Sequence, residues 1–301
     1  MNPHFALVDW GTSSFRLWIV DQHGEVLAQR RDKRGMSTLT PDQYAPFLEG
    51  LLSELAVPKD LPVLVCGMAG AAQGWHPVPY RDVPCDLTSL PQGAVSVPGL
   101  ARDVRIMPGL AQRTSGSEDV IRGEETILIG ALAKLSQFRT ICMPGTHSKW
   151  VQMRDGHVRG FQTAMTGEVF ALLSSQSTLS HYLQSPSQDR SNTEAFDAAV
   201  TRALAQPGQL LGSLFSLRAR PLLTGDTCVA ELPAYLSGLL IGMEIAGMDV
   251  KDDGPVLLLS DGVLARNYAR ALTLADVPYQ LGNAEELALA GLFTAAQALW
   301  D

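Results

Sequence analysis

The stretch GTSSFRLWIVD at 11–21 and the stretch GTHSKWVQMRD at 145–155 align without a gap. Gly11 falls on Gly145, Thr12 on Thr146, Ser14 on Ser148 and Asp21 on Asp155, at an offset of 134 throughout. Each copy follows a short apolar run, FALVDW or TICMP, and each continues into an apolar–polar alternation. A strand, a tight turn and a second strand, used once in each half, restrict the chain to folds built from two related α/β units. The turn chemistry suits an anion. Glycine lets backbone come close and adopt φ > 0, successive N–H groups form an anion-binding nest, and Thr and Ser hydroxyls add donors without bulk. Gly11, Thr12, Ser13 and Ser14 on one side, with Gly145, Thr146, His147 and Ser148 on the other, could grip a chain of phosphates from both sides. Asp9, just before the first turn, is the natural partner for Mg2+, which favours one or two carboxylates plus phosphate oxygens.

At 301 residues the chain can hold two ordinary domains, and 46% hydrophobic against 18% charged residues allows a substantial core. No apolar run approaches the ~20 residues of a membrane span, and MNPHFALVDW lacks the pattern of an export signal. Cys66, Cys85, Cys142 and Cys228 show no CxxC pairing, so a reduced, cytoplasmic protein with buried thiols fits them better than a zinc site or disulfide frame. A formal net charge of −8 argues against nucleic acid as a partner, not against a small anionic substrate.

Strands are expected at 5–10, 15–21, 25–31, 62–67, 139–143, 148–154, 157–163, 256–260 and 278–281, with weak ones near 94–98 and 104–107. Asp155-Gly156 should turn the hairpin between 148–154 and 157–163. Helices are expected at 41–55, capped by Thr40 with Pro41 in the first turn, at 118–135, at 262–274 and at 284–300. The last begins at Asn283 with Glu286 three residues on, as in a capping box. The region 166–247 reads as mostly helical, with a polar break near 185–192.

The helix placed at 118–135 carries an apolar stripe through Val120, Ile121, Ile127, Leu128, Ala131, Leu132 and Leu135. Glu124 lies within the stripe and Glu125 at its edge. A carboxylate facing a core is costly unless paired, and burial raises its pKa toward a value useful to a base. Glu124 is the preferred proton acceptor and Glu125 the alternative; a structural bridge from Glu124 to Arg122 or Arg16 is the plain reading. Arg16 could reach phosphates or a substrate carboxylate, since a guanidinium fork matches either. Lys149 could stabilise transferring charge, and His147 could hydrogen-bond a phosphate or hydroxyl. The loop GMAGAAQGW does not fit a dinucleotide fingerprint and reads as a substrate loop, with Gln73 and Trp75 as contacts. MTGE opens a helix whose cap would be Thr166. Its amides, with Gly167, could receive a carboxylate, and Glu168 could accept a substrate hydroxyl.

The segments VDWGTSSFRLW, CGMAGAAQGW, DVIRGEET, PGTHSKWV, TAMTGEVFALL and NAEELALAGL span nearly the whole chain. In them the chain resembles the sugar kinase/actin/heat-shock ATPase superfamily, and within it the 2-dehydro-3-deoxygalactonokinases. The resemblance implies two actin-like (ribonuclease H-like) α/β domains, with mixed sheets flanked by helices and a central cleft. The first would cover 1–114 plus the C-terminal helix at about 284–301, the second 115–283. It further implies ATP and Mg2+ as cofactors and phosphorylation of the terminal hydroxyl of a 2-keto-3-deoxy sugar acid in galactonate breakdown. Relatives often carry an aspartate in the second hairpin where this chain has Ser148. The family's late adenosine-side loop usually carries an additional glycine; here Ser260, Asp261 and Gly262 occupy the turn after the strand. Exopolyphosphatases of the same superfamily share a Glu-Glu segment that holds their catalytic glutamate. A phosphohydrolase, a kinase for another keto-deoxy acid and a non-catalytic actin-like scaffold are the competing functions. A homo-oligomer is left open.

Overall fold

The computed structural model describes residues 2–135, 137–183, 193–224, 226–248, 250 and 253–301. The chain divides into two units. The first comprises Met1–Gln137, Met153–Phe161 and Asn283–Asp301; the second comprises Phe138–Gln152 and Gln162–Gly282.

The first unit is built on β1 (Phe5–Trp10), β2 (Phe15–Val20), β3 (Val26–Asp32), helix α1 (Tyr44–Glu54) and β4 (Val63–Gly67). Short strands β5 (Arg81–Asp82), β6 (Cys85–Asp86), β7 (Val95–Ser96), β8 (Val104–Ile106), β9 (Leu110–Gln112) and β10 (Asp119–Ile121) follow, then helix α2 (Glu124–Leu135). Its main sheet runs β3-β2-β1-β4-β8-β7, with β1 antiparallel to β2 and parallel to β4. β4 (VLVCG) is buried at every position, as a central strand covered on both faces must be. Trp10, Phe15, Tyr44 and Leu48 fill one side of the sheet.

The second unit holds β11 (Thr140–Met143), the start of β12 (Ser148–Arg154) and the end of β13 (His157–Ala164). Helices α3 (Thr166–Gln176), α4 (Ser180–Leu183), α5 (Thr193–Ala205), α6 (Leu210–Thr224) and α7 (Leu232–Gly247) come next. They are followed by β14 (Val256–Leu259), α8 (Gly262–Leu274) and β15 (Tyr279–Gly282). α9 (Ala284–Trp300) returns to the first unit. The sheet order β15-β14-β11-β12-β13, with β11 antiparallel to β12 and parallel to β14, repeats the first unit's β8-β4-β1-β2-β3. The duplication read in the sequence is therefore a duplicated hairpin-plus-parallel-strand core, the topology of an actin-like unit.

Local signals account for most element ends. Asn283 Oδ1 accepts from the Glu285 and Glu286 amides, and its amide donates to Glu286, so α9 starts where the capping pattern predicts. Gln43 Oε1 accepts from the Thr40 amide, in front of a short 3-10 turn that leads into α1. Asp155 and Gly156, at φ 53° and 75°, form the expected primed hairpin turn. The polar break at 185–192 lies outside the described residues.

Two expectations need correction. The helix placed at 118–135 begins only at Glu124, and 119–121 is a strand. Gly123 is the reason: at φ 107° it takes a backbone conformation that cannot continue a right-handed helix backwards. Val120 and Ile121 therefore belong to no helical stripe, and Glu124 is the first helical residue rather than its middle. Second, among the described residues one helix, Val229–Gly247, is long and apolar enough to cross a bilayer, at mean hydropathy 1.3. The sequence reading recognised no such run. Its window is 67% buried inside the protein, and Gly238 and Gly242 bring it against Phe196, Ala199 and Ala203 of α5 as a core helix.

Candidate active site

In the first unit, β1, β4 and the N-terminus of α2 bring their ends together. Asp9 sits opposite Arg16 on β2 and beside Cys66 on β4. Arg16 Nη1 lies 3.5 Å from Asp9 Oδ2, and the Cys66 thiol donates to Asp9 Oδ1 at 3.9 Å. Burial pushes the Asp9 carboxyl above the ordinary carboxylate range; the Arg16 charge opposes this, and Glu124 and Glu285 add to it. Gly123 packs against Gly67 at the end of β4, which holds the start of α2 close to Asp9.

The two glutamates of that start are placed very differently. Glu124 is half-buried and its Oε2 accepts the Arg122 amide at 3.1 Å. Glu125 is wholly buried; its Oε2 accepts the Gly123 amide at 2.6 Å, and Thr126 Oγ1 lies 3.3 Å from Oε1. Burial, reinforced by the Glu124 charge, pushes the Glu125 carboxyl up to about 8. The buried member of the pair is therefore Glu125, the reverse of the stripe argument, because the helix starts six residues later than expected. Glu125 has no exposed surface, whereas Glu124 keeps part of its side chain at the surface. Glu124 meets Arg122 through the backbone amide. The Arg122 guanidinium turns away, to the Val78 carbonyl at 2.8 Å and over the Tyr80 ring.

Thr12, Ser13 and Ser14 are exposed at the first turn. The Thr12 carbonyl is taken by the Ser37 amide at 2.9 Å, so the segment at 35–37 braces the turn from behind. Gly11 and Gly145 do not adopt the positive φ expected of a nest; Gly11 instead makes room for Ser14 Oγ, which a Cβ would meet at 2.7 Å. Gln73 is exposed on its loop. Trp75 is partly buried and packs on Trp10 and Tyr44, so much of its ring serves the core rather than a ligand.

In the second unit Thr146 and His147 are exposed at the turn, and His147 Nε2 is paired with the Glu168 carboxylate. The Glu168 amide donates to the Thr146 carbonyl at 3.0 Å, which seats α3 directly on the hairpin. Gly167 is required there, since a Cβ would overlap the Gly145 carbonyl oxygen and crowd Thr146. Three expected contacts point elsewhere. The Ser148 side chain is fully buried and shares a 2.7 Å hydrogen bond with the Tyr268 hydroxyl. Lys149 is 7% exposed, and its ammonium donates to the His147 carbonyl at 2.8 Å. Thr166 is the first residue of α3 rather than its cap, and its hydroxyl donates to Glu244. Ser148 turns inward because the copies differ in register. Trp10 pairs with Phe15, whereas Met143 pairs with Lys149, one position out of step. A slip of one residue reverses which face a side chain takes.

A cavity of about 150 Å3 opens beside this hairpin. Gly145, Gly167, Phe170, Leu240, Val263 and Tyr268 line it, with Thr166, Ser237 and Asn267 as polar residues. Asp261 and Gly262 stand at the N-terminus of α8, immediately before the lining residue Val263. The sequence reading missed these walls. Phe170, Leu240 and Tyr268 lie on three helices far apart in the chain, and each is ordinary within its own helix.

Among the described residues no group of three or more His, Cys, Asp or Glu could cage a metal ion. The donor set at Asp9 is a single carboxylate beside an exposed hydroxyl-rich turn. That fits magnesium, which takes one or two protein carboxylates and completes its shell with phosphate oxygens and water.

The sequence profile of the 2-keto-3-deoxy-galactonokinase family matches residues 9–295. A Rhizobium meliloti (strain 1021) protein named probable 2-dehydro-3-deoxygalactonokinase is 44% identical over 99% of this chain and 98% of its own. The Escherichia coli (strain K12) 2-dehydro-3-deoxygalactonokinase is 34% identical over 90% of each chain. A crystal structure of a Sinorhizobium meliloti protein given the same provisional name superposes with a TM-score of 0.92, at 44% identity, over 99% of this chain and 97% of that one.

Proposed function

The chain belongs to the 2-keto-3-deoxy-galactonokinase family, and from that premise we propose how its own residues carry the ATP-dependent phosphorylation of 2-dehydro-3-deoxygalactonate. The proposed acceptor is the terminal hydroxyl of the sugar acid. Phosphoryl transfer asks the protein to position the hydroxyl, offset phosphate charge and supply a proton acceptor.

The single observation that carries the residue assignment is the half-buried Glu124 carboxylate at the start of α2, close enough to Asp9 to raise that group's pKa. Glu124 accepts the hydroxyl proton and Asp9 holds magnesium. Bound magnesium supplies neutralisation of phosphate charge. Arg16, paired with Asp9, orients that carboxylate and adds a positive charge beside it. Thr12, Ser13 and Ser14 present hydroxyls and amides to phosphate. In the second unit Gly145, Thr146 and His147 do the same, with Ser148 contributing backbone only. The adjoining, mostly apolar cavity, with Thr166, Ser237 and Asn267 among its walls, takes the nucleoside of ATP, and the N-terminus of α8 at Asp261–Gly262 forms its rim. In the first unit, the exposed Gln73 is a sugar-acid contact. The two units act as the family's two actin-like domains. The reading includes a reducing, cytoplasmic setting, supported by Cys66, Cys85 and Cys142, which are buried and unpaired.

The test is a coupled ADP-release assay over a panel of 2-keto-3-deoxy acids and common hexoses, run on the native protein and on Glu124→Gln. The galactonate-derived acid is expected to be the preferred acceptor, with phosphorylated acid rather than free phosphate as product. Glu124→Gln should lose about 100-fold or more in kcat while unfolding at the native temperature. Preference for a hexose would overturn the substrate, and full turnover in Glu124→Gln would remove that residue from the chemistry.

A further inference from the structure

One buried carboxylate in the second unit has no part in the chemistry above. α7 reads LPAYLSGLLIGMEIAG, and Glu244 is its only charged residue. It is 7% exposed. Its Oε1 accepts the Trp150 indole N–H at 2.7 Å, and its Oε2 accepts the Tyr268 hydroxyl at 2.7 Å and the Thr166 hydroxyl. Tyr268 in turn meets Ser148 Oγ at 2.7 Å. A buried carboxylate is tolerated only when its acceptor sites are filled, and here donors from three other elements fill them.

The elements concerned are the ones that frame the cavity. Trp150 and Ser148 belong to β12, directly after the second turn. Thr166 opens α3, the helix seated on Gly145 and Thr146. Tyr268 lies on α8 and lines the cavity with its ring, while its hydroxyl faces Glu244. Turn, helix start and cavity wall are all tied to one side chain. Hydrophobic packing alone tolerates sliding between these elements, whereas three directional bonds to a common centre do not. Misplacement of a binding group by an ångström is enough to cost one to two orders of magnitude in function.

We propose that Glu244 is a positioning residue for the nucleotide: through Tyr268, Ser148, Trp150 and Thr166 it holds the second phosphate turn in register with the nucleoside cavity, and so sets affinity for ATP and ADP without touching either. The proposal rests on the reading of the second unit as the nucleotide-binding one.

The experiment uses the full chain and three variants: Tyr268→Phe, which keeps the ring and removes the linking hydroxyl, Ser148→Ala, and Glu244→Gln. ADP binding is measured by calorimetry, and KM for ATP, KM for the sugar acid and kcat by steady-state kinetics. Unfolding temperature is measured with and without ADP. Tyr268→Phe and Glu244→Gln are expected to weaken ADP about tenfold or more and to raise KM for ATP in parallel, with KM for the sugar acid within twofold and the unliganded protein folded. Ser148→Ala should have a smaller effect in the same direction. Unchanged ADP affinity in Tyr268→Phe overturns the inference, as does an equal rise in both KM values. If Glu244→Gln does not fold, Tyr268→Phe and Ser148→Ala decide the matter. Failure of the native chain to bind ADP at all would instead overturn the nucleotide assignment of this unit.

Discussion

Replacing Glu125 by Gln should change how stability depends on pH more than it changes stability at any one pH. The Glu125 carboxyl is wholly buried and sits at about 8, against 4.5 for the same group in water. Between those values the folded protein holds a proton that the unfolded chain has released. Stability must therefore fall as pH rises from about 4.5 to about 8 and level off above it. At about 1.4 kcal/mol per pH unit the whole interval is worth roughly 4 to 5 kcal/mol, a large part of the stability of an ordinary domain. Gln keeps the shape and an oxygen for the Gly123 amide but does not titrate. The difference in unfolding free energy between native protein and Glu125→Gln should thus move by roughly 4 kcal/mol in favour of the variant between pH 5 and pH 8.5. Other carboxylates are shifted too, Asp32 and Asp103 downward beside their arginines, Asp9 and Glu244 upward by burial. They titrate in both proteins, so they cancel in the difference. Urea unfolding followed by tryptophan fluorescence is the suitable assay, since Trp10, Trp18, Trp75 and Trp300 all belong to the unit that contains Glu125. Turnover at neutral pH should survive, because the neutral amide replaces a group that is already neutral there. A stability difference flat to within about 1 kcal/mol across that pH range would show that Glu125 ionises freely, and the burial argument would fail.

Gly167→Ala should weaken ADP binding by about tenfold or more, because its methyl group would push on the Gly145 carbonyl and on Thr146; calorimetry reads this, and unchanged affinity would separate α3 from the phosphate turn. The same change should cost about 1–3 kcal/mol of stability in urea. Arg102→Met should lower stability by about 2–4 kcal/mol with kinetics unaltered, since the buried guanidinium binds Glu49 through two nitrogens and also bonds the Pro58 and Leu61 carbonyls.

What could be read from the sequence was what is local. The Asn283 side chain caps a helix by accepting the Glu285 and Glu286 amides, and Asp155-Gly156 turns a hairpin by its own dihedral preferences, so both stand where expected. The start of α2 is local too, yet it was misplaced. Apolar residues at 120 and 121 extend a helical stripe on paper, and only the φ of Gly123 shows that the chain has not entered the helix by then. That displacement of the helix start exchanged the environments of Glu124 and Glu125. Glu244 had a usable signal in the sequence, a lone acid in an otherwise uncharged helix, which a buried-charge argument could have followed to its donors.

The two turns carry the more general lesson. They align residue for residue in sequence, but their strands pair one position apart, and this difference sorts the chemistry between the units. Asp9 aligns with Met143, so the strand acid just before the first turn has no counterpart on β11. Ser14 is exposed, while its counterpart Ser148 is buried against Tyr268 and becomes part of the scaffold that holds the cavity. Duplication of the sequence thus yields one unit equipped with carboxylates and another equipped with an apolar cavity and a braced turn. A strand register is decided by long-range pairing and by which face must be buried, neither of which an alignment of the two segments contains. That one-residue slip, together with an acid in one copy where the other has a methionine, gives two aligned turns different side-chain environments.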